Sequence, residues 1–185
     1  MCSFALWHDG QLIAGEFGAL VGKSYTSYSG FYRMDGAGAA QMALTAMVLE
    51  RAGFEFWDMG QEHEYKLKHG ASLVPRHVFL DGFRRARCGL NGLDALARQH
   101  GGRFSGEELM RQQALRQEAA TGGEATGGET ATGRGSARMH GGGESDDPID
   151  EGDYSEDGAA VTNRARPAAP RSFRAGPSGE LEVVT

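Results

Sequence analysis

Cysteine is scarce in this sequence, and long apolar runs are missing. The two cysteines, Cys2 and Cys88, are far apart, which gives neither a disulfide framework nor the paired spacing of a zinc site. A reducing compartment is therefore expected, and we predict the cytoplasm, with an organelle as the alternative. No run approaches the roughly 20 apolar residues that span a bilayer, and residues 1–6 are too short and uncharged for a secretory signal. The composition thus predicts a soluble protein with no membrane partner.

Charge is distributed unevenly along the chain. The formal net charge is −6, yet residues 66–87 contain six Lys or Arg side chains and one acidic side chain, Asp81. Acidic residues dominate after about Gly143. Charge runs on helices are usually solvated faces, but a basic segment of this kind could also neutralise nucleic-acid phosphates.

Composition changes sharply near Ala119. From there onward Ala, Gly, Thr, Glu and Ser dominate, and Ala-Thr-Gly-Gly-Glu occurs twice in tandem. Such a segment cannot bury enough apolar surface to offset about 1–2 kcal/mol of backbone entropy per residue. We predict a folded domain over residues 1–100, a helical extension over residues 101–118 and a disordered tail over residues 119–185. The alternative for the tail is a phosphorylatable interaction arm.

Turn and helix signals give the order of elements in the folded part. Asp9-Gly10 is a hairpin signal that starts an antiparallel meander, which ends in the aromatic run at residues 25–32. Asp35 is a plausible N-cap for a helix that Gly53 ends. The other predicted elements are strands at 54–59 and 72–74, helices at 62–68, 90–100 and 107–117, and a helix started by Pro75 with Val78, Phe79, Leu80 and Phe83 inward.

Two segments near strand ends carry candidate chemistry. Residues 33–40 form a strand-to-helix junction of small residues, where free backbone N–H groups favour an anion or a carbonyl oxygen; a tight packing turn is the alternative.

Asp58 follows an apolar strand, so partial burial could raise its pKa and make it a proton acceptor, while Gln61 could orient a nucleophile or bind an oxyanion. For Asp58 the alternative is a helix cap or an ion pair with Arg33 or Lys66. No recognised metal spacing occurs among the nearby histidines, which are His63, His69 and His77.

The run at residues 25–32 alternates aromatic and hydroxyl side chains, so one face of this strand could line an apolar pocket. The alternative is that these aromatics are ordinary half-buried strand residues. Gly30 favours the pocket, because a glycine inside a strand often marks a bulge or the close approach of a ligand.

The order of these signals resembles the leucyl/phenylalanyl-tRNA–protein transferase family, whose catalytic domain is similar to the GNAT acyltransferase fold. The resemblance covers roughly residues 11–84. It is carried by Gln-Leu-Ile-Ala-Gly-Glu-Phe-Gly at 11–18, Ser-Gly-Phe-Tyr-Arg at 29–33, Phe-Trp-Asp-Met-Gly at 56–60 and Val-Pro-Arg at 74–76. The fold class it implies is α+β, a GNAT-like mixed and mainly antiparallel sheet flanked by helices.

The resemblance implies an aminoacyltransferase that moves leucine or phenylalanine from aminoacyl-tRNA to the N-terminal amine of a protein beginning with Arg or Lys. The product is a degradation signal (N-degron), and no cofactor or metal is implied. Because the aminoacyl ester is already activated, the enzyme has to position a neutral amine, accept its proton and stabilise an oxyanion. An α-amine has a pKa of about 7.7–8.0, so a nearby carboxylate is useful. The resemblance assigns catalysis to Asp58 and Gln61, the substrate pocket to Tyr28, Ser29, Phe31, Tyr32 and Arg33, and the tRNA contacts to Lys66, Lys68, Arg76, Arg84 and Arg85.

Three departures from the family pattern bear on this assignment. Bacterial members carry a glutamate in the aromatic strand just before Met-Phe-Ser-Arg, where this chain has no carboxylate. Their glutamine lies two residues after the aspartate, where this chain has Gly60. The N-terminal domain that helps hold the terminal adenosine is expected to be absent. The competing functions are a GNAT-like acyl-CoA N-acyltransferase and an inactive module that recognises protein N-termini.

Overall fold

The computed structural model describes residues 1–122, 160–163 and 179–185. Its strands are β1 (Cys2–His8), β2 (Gln11–Val21), β3 (Ser24–Tyr32), β4 (Phe56–Gly60), β5 (Ser72–Val74), β6 (Arg103–Ser105), β7 (Ala160–Asn163) and β8 (Gly179–Val184). Its helices are α1 (Ala37–Arg51), α2 (Glu64–Lys68), α3 (Arg76–Ala86), α4 (Leu93–Gln99) and α5 (Gly106–Gly122).

The described strands form one sheet in the order β5-β7-β4-β3-β2-β1-β8-β6. Among the described pairs, β3 and β4 run parallel and the others are antiparallel. The predicted α+β class with a mainly antiparallel sheet is confirmed, whereas its GNAT-like character stays a prediction. Within the described residues, every helix is too short or too polar to cross a lipid bilayer.

The first three strands form the predicted meander. Asp9 and Gly10 take positive φ values of 49° and 74°, and His8 pairs with Gln11 across them. Positive φ at both central residues matches the right-handed twist of a two-residue hairpin, which explains the Asp-Gly sequence. Phe4 and Leu6 alternate inward from β1 and are buried.

Helix α1 packs its buried face on the meander and begins one residue later than predicted. Gly36 is the N-cap, with a φ of 77° and no side-chain capping bond, so the prediction that Asp35 caps this helix is wrong. Because Gly36 adopts a left-handed conformation there, the chain turns between Asp35 and the first helical residue. At the other end, Gly53 has a φ of 78° just beyond the helix, as its role as a stop predicted.

The C-terminal strand β8 lies between β1 and β6, and Leu181 and Val183 are buried in the main core cluster. The prediction of a disordered tail is therefore wrong for residues 160–163 and 179–184, and helix α5 continues to Gly122. The Leu-Glu-Val-Val alternation buries one face of β8, a local pattern that the average composition of the tail conceals. The rest of the predicted tail lies outside the described residues, and the division into domains stays a prediction.

Helix α3 packs against β4 through a narrow face. The rings of Phe79 and Phe56 meet edge to face at 5.1 Å, and Gly82 lies against the Phe56 ring. Ala86 completes this face with helical spacing. Val78 lies off it and is 45% exposed, so the prediction that Val78 points inward is wrong.

Candidate active site

A cavity of about 910 Å³ lies where β3 and β4 separate. These strands pair from Ser24 and Phe56 only as far as Thr26 and Asp58, after which β3 continues along β2. The cavity lining comes from β2, from the outer half of β3, from the end of β4, and from residues at the start of α1 and around α2. The parallel pair therefore opens into a cleft whose walls come from elements distant in the sequence.

Glu16 is a carboxylate in the wall of this cavity. It lies on β2 opposite Gly30 of β3, and its Oε2 accepts a hydrogen bond from Ser27 Oγ at 3.2 Å. Oε1 is buried and accepts no hydrogen bond of normal geometry from any described residue. Burial raises the pKa of Glu16 to about 7, although nearby Gln41, Ser27, Tyr25 and the charge of Lys66 act in the opposite direction. Glu16 can therefore gain or lose a proton near neutral pH.

Ser27 connects Glu16 to the core. Its Oγ also accepts a hydrogen bond from Trp57 Nε1 at 2.8 Å, and the Trp57 side chain is 5% exposed. Since the indole N–H occupies an acceptor site of the hydroxyl, the hydroxyl proton is directed to the carboxylate. This buried chain fixes the orientation of Glu16.

Asp58 does not line the cavity. Its neighbours Trp57 and Met59 are buried, and Met59 lines the cavity, so alternation along the strand directs Asp58 to the opposite face. There Asp58 Oδ1 accepts a hydrogen bond from Gly60 N at 2.9 Å. Burial raises the pKa of Asp58, and that hydrogen bond, the charge of Lys66 and Thr26 partly offset the shift.

Lys66 of α2 lines the cavity beside the end of β4, and its charge acts on both carboxylates. Its Nζ donates hydrogen bonds to the carbonyl oxygens of Met59 at 2.6 Å and Gln61 at 2.8 Å. Partial burial lowers the pKa of Lys66, and Asp58 and Glu16 raise it. Lys66 thus holds the end of β4 in place, and the tRNA contact expected of it stays a prediction.

Aromatic side chains form another wall of the cavity. Tyr28, Phe31 and Tyr32 of β3 line it together with Ser29, as the pocket prediction requires. Tyr28 and Tyr32 are 59% and 68% exposed, so this wall is open toward solvent. Arg33 does not line the cavity, and its guanidinium lies 5.6 Å from the centre of the Phe31 ring.

The N-terminus of α1 faces the same cavity. Gly36, Gly38 and Ala39 line it, and Gly38 lies against the Tyr32 ring, where an added Cβ would approach Cδ1 to 3.3 Å. First-turn N–H groups have no acceptor within their own helix and carry the positive end of its dipole. This terminus can therefore receive a carbonyl oxygen or an anion, and the site expected at this junction stays a prediction.

The other predicted site residues are dispersed. Gln61 lines the cavity. On α2, Lys68 pairs with Glu64 at 2.7 Å, and on α3, Arg84 pairs with Asp81 at 3.4 Å. Arg76 and Arg85 are exposed on α3, away from the cavity lining. The structure therefore brings Tyr28, Ser29, Phe31, Tyr32, Gln61 and Lys66 together and leaves Asp58, Arg33, Lys68, Arg76, Arg84 and Arg85 outside the cavity lining.

Comparison with known proteins points to one family. Residues 1–84 match the family described as leucyl/phenylalanyl-tRNA protein transferase. The resemblance predicted from the sequence is confirmed. A protein named leucyl/phenylalanyl-tRNA–protein transferase from Bordetella petrii is 33% identical over 87 residues, covering 47% of this chain and 34% of that protein. One of the same name from Solidesulfovibrio magneticus is 32% identical over 85 residues, covering 46% and 34%.

The chain spans about a third of the length of these two relatives. The residues that line the cavity, from Gly15 to His69, all lie inside the segment that matches the family. The resemblance and the cavity therefore concern the same part of the molecule.

Proposed function

We propose that this chain transfers an amino acid from aminoacyl-tRNA to the N-terminal amine of a protein. The observation that carries the proposal is the coincidence of the cavity with the segment similar to the transferase family. Within that segment, an aromatic wall and a helix N-terminus face one cleft.

The geometry suits the chemistry of aminoacyl transfer. The aromatic wall of Tyr28, Phe31 and Tyr32 offers apolar contact to a leucine or phenylalanine side chain. The N–H groups at the start of α1, around Gly38 and Ala39, suit the oxyanion that develops on the ester carbonyl. Because the ester is already activated, positioning of the amine and its deprotonation are the remaining requirements.

The finer assignments extend this proposal. The amino acid transferred is leucine or phenylalanine, the acceptor begins with Arg or Lys, and the product enters protein degradation through the N-degron route. Contacts with the acceptor stem come from the exposed basic residues of α2 and α3, which are Lys68, Arg76, Arg84 and Arg85. The cytoplasm, where charged tRNA is available, is the proposed location.

The test is transfer of radiolabelled leucine or phenylalanine from charged tRNA to a peptide with N-terminal Arg, using the full chain. We expect incorporation into the free peptide and none into the same peptide acetylated at its N-terminus. Absence of incorporation by a protein shown to be folded would contradict the proposal. Incorporation from an acyl-CoA donor in place of tRNA would assign the cavity to a different acyltransferase.

A further inference from the structure

Glu16 has the features of a ligand-binding group that the fold itself does not need. Its Oε1 is buried at the cavity wall and accepts no normal hydrogen bond from the described residues. A buried carboxylate oxygen without a partner costs stability unless a ligand satisfies it. Oε2, in contrast, is held by Ser27 and through it by Trp57. One oxygen is thus anchored, whereas the other is buried in the cavity wall near the Gln41 amide and the Tyr25 hydroxyl, without a hydrogen bond of normal geometry.

The groups that surround Glu16 leave room for a cationic or hydrogen-bond-donating partner. Lys66 is the cation whose charge acts on it, but its Nζ already donates to Met59 O and Gln61 O. Gln41 of α1 donates through Nε2 to Thr45 Oγ1 at 2.9 Å, and its amide also acts on Glu16, whose pKa it lowers. Besides Lys66, the charge of Glu16 acts on three titratable side chains, Tyr25, Tyr65 and Cys2. In each of them it raises the pKa and so favours the protonated form.

Gly30 makes space on the neighbouring strand. It pairs with Glu16, and an added Cβ at Gly30 would meet Gly15 O at 3.2 Å and Glu16 Cβ at 3.4 Å. A larger residue at position 30 would therefore press on the base of the glutamate side chain. The close approach of β3 at Gly30 is compatible with a carboxylate at position 16 directed into the cleft.

We propose that Glu16 is the carboxylate that binds the α-amine of the acceptor protein in this cavity and accepts its proton. This inference rests on the proposed function. In the transfer step, the amine nitrogen forms an amide bond to the ester carbonyl carbon, and the bond from that carbon to the ribose oxygen breaks. A protonated amine first loses one proton to the solvent. The neutral amine gives up one proton to Glu16 as the amide bond forms, and Glu16 passes that proton to the departing ribose oxygen, so Glu16 returns to its starting state. Glu16 thereby supplies, from β2, the carboxylate that the aromatic strand β3 lacks.

The test uses binding and therefore does not depend on transfer. Two peptides with N-terminal Arg, one with a free amine and one acetylated, are titrated into the full chain by calorimetry at about pH 7.5, where the amine is mostly protonated. Both peptides carry the same guanidinium, so their difference reports the amine. We expect wild type to prefer the free amine by about tenfold or more, and Glu16→Gln to lose the preference.

Glu62→Gln is the matched control. It is the same Glu-to-Gln substitution at an exposed residue that does not line the cavity. It should keep the preference of wild type. Retention of the preference by Glu16→Gln, or its absence in wild type, would overturn the assignment of Glu16. Loss of the preference in Glu16→Gln together with no transfer from charged tRNA by wild type would keep Glu16 as the amine site and reject the transferase.

A measurement on wild type guards against a folding defect in the variant. The carboxyl carbon resonance of Glu16, labelled with ¹³C, should shift on addition of the free peptide and stay in place with the acetylated one. Equal shifts with both peptides would contradict direct contact between Glu16 and the amine.

Discussion

The two carboxylates near the end of β4 differ in the partners that their oxygens have. Asp58 lies at the point expected from the family pattern, yet its side chain is directed away from the cavity, with a hydrogen bond from Gly60 N. Glu16 lies on a different strand, has one buried oxygen without a hydrogen bond of normal geometry, and faces the cleft. The carboxylate at the motif position is thus directed away from the cavity, whereas a carboxylate outside that motif lines it.

The largest difference is expected in the rate of transfer. General base catalysis contributes about 10²–10⁴-fold, so Glu16→Gln should lower kcat/KM by about 10³-fold. Asp58→Asn should cost less than about tenfold, because an Asn oxygen can still accept the hydrogen bond from Gly60 N. Both variants are nearly isosteric with wild type, and each is measured across pH 5.5–8.5.

The pH profile separates a chemical role from a structural one. Wild-type activity should rise as Glu16, with its pKa of about 7, loses its proton, and this limb should be absent in Glu16→Gln. A large loss in Asp58→Asn with a small loss in Glu16→Gln would return the catalytic role to Asp58.

A smaller difference is expected in stability. The pKa of Glu16 is raised from 4.5 to about 7, so between these values the folded protein holds more protons than the unfolded chain. Wild type therefore loses stability relative to Glu16→Gln as pH rises through this window, by about 2 kcal/mol after allowance for partial exposure. Urea unfolding at pH 4.5 and 8 measures the change.

The control for stability is again Glu62→Gln, which should follow wild type at both pH values. A difference between wild type and Glu16→Gln that does not vary with pH would show that folding leaves the pKa of Glu16 unshifted, so that Glu16 is ionised near neutral pH. The carboxylate would then bind the amine as a fixed charge and would not take its proton near neutral pH.

The sequence predicted those parts of the fold and site that depend on local signals. The Asp9-Gly10 hairpin, the stop signal at Gly53 just beyond α1 and the aromatic wall follow from residues adjacent in the chain. Strand β8 was missed because the average composition of the tail conceals its short apolar alternation, and because its partner β1 lies at the opposite end of the sequence.

Glu16 was missed for a different physical reason. Val21 of β2 pairs with Ser24 of β3. If this register continued unchanged along both strands, Glu16 would lie opposite Ser29. A bulge between Phe17 and Gly18 moves its partner to Gly30. The available signal was a single acidic residue inside a mostly apolar strand. A buried acidic side chain of this kind costs stability unless it is paired or binds a ligand.

The smallest expected effect is a change in the pKa values of Glu16 and Asp58 when Lys66 is replaced, because the charge of Lys66 acts on both carboxylates. In Lys66→Met the pKa of both carboxyl groups should rise, because the lysine charge lowers the pKa of each. Carboxyl ¹³C titration of the two side chains measures both values in one sample. Lys68→Met is the control, since Lys68 is exposed and pairs with Glu64. A rise at Glu16 alone would mean that Lys66 acts only within the cavity, and Asp58 would then be electrostatically separate from the site.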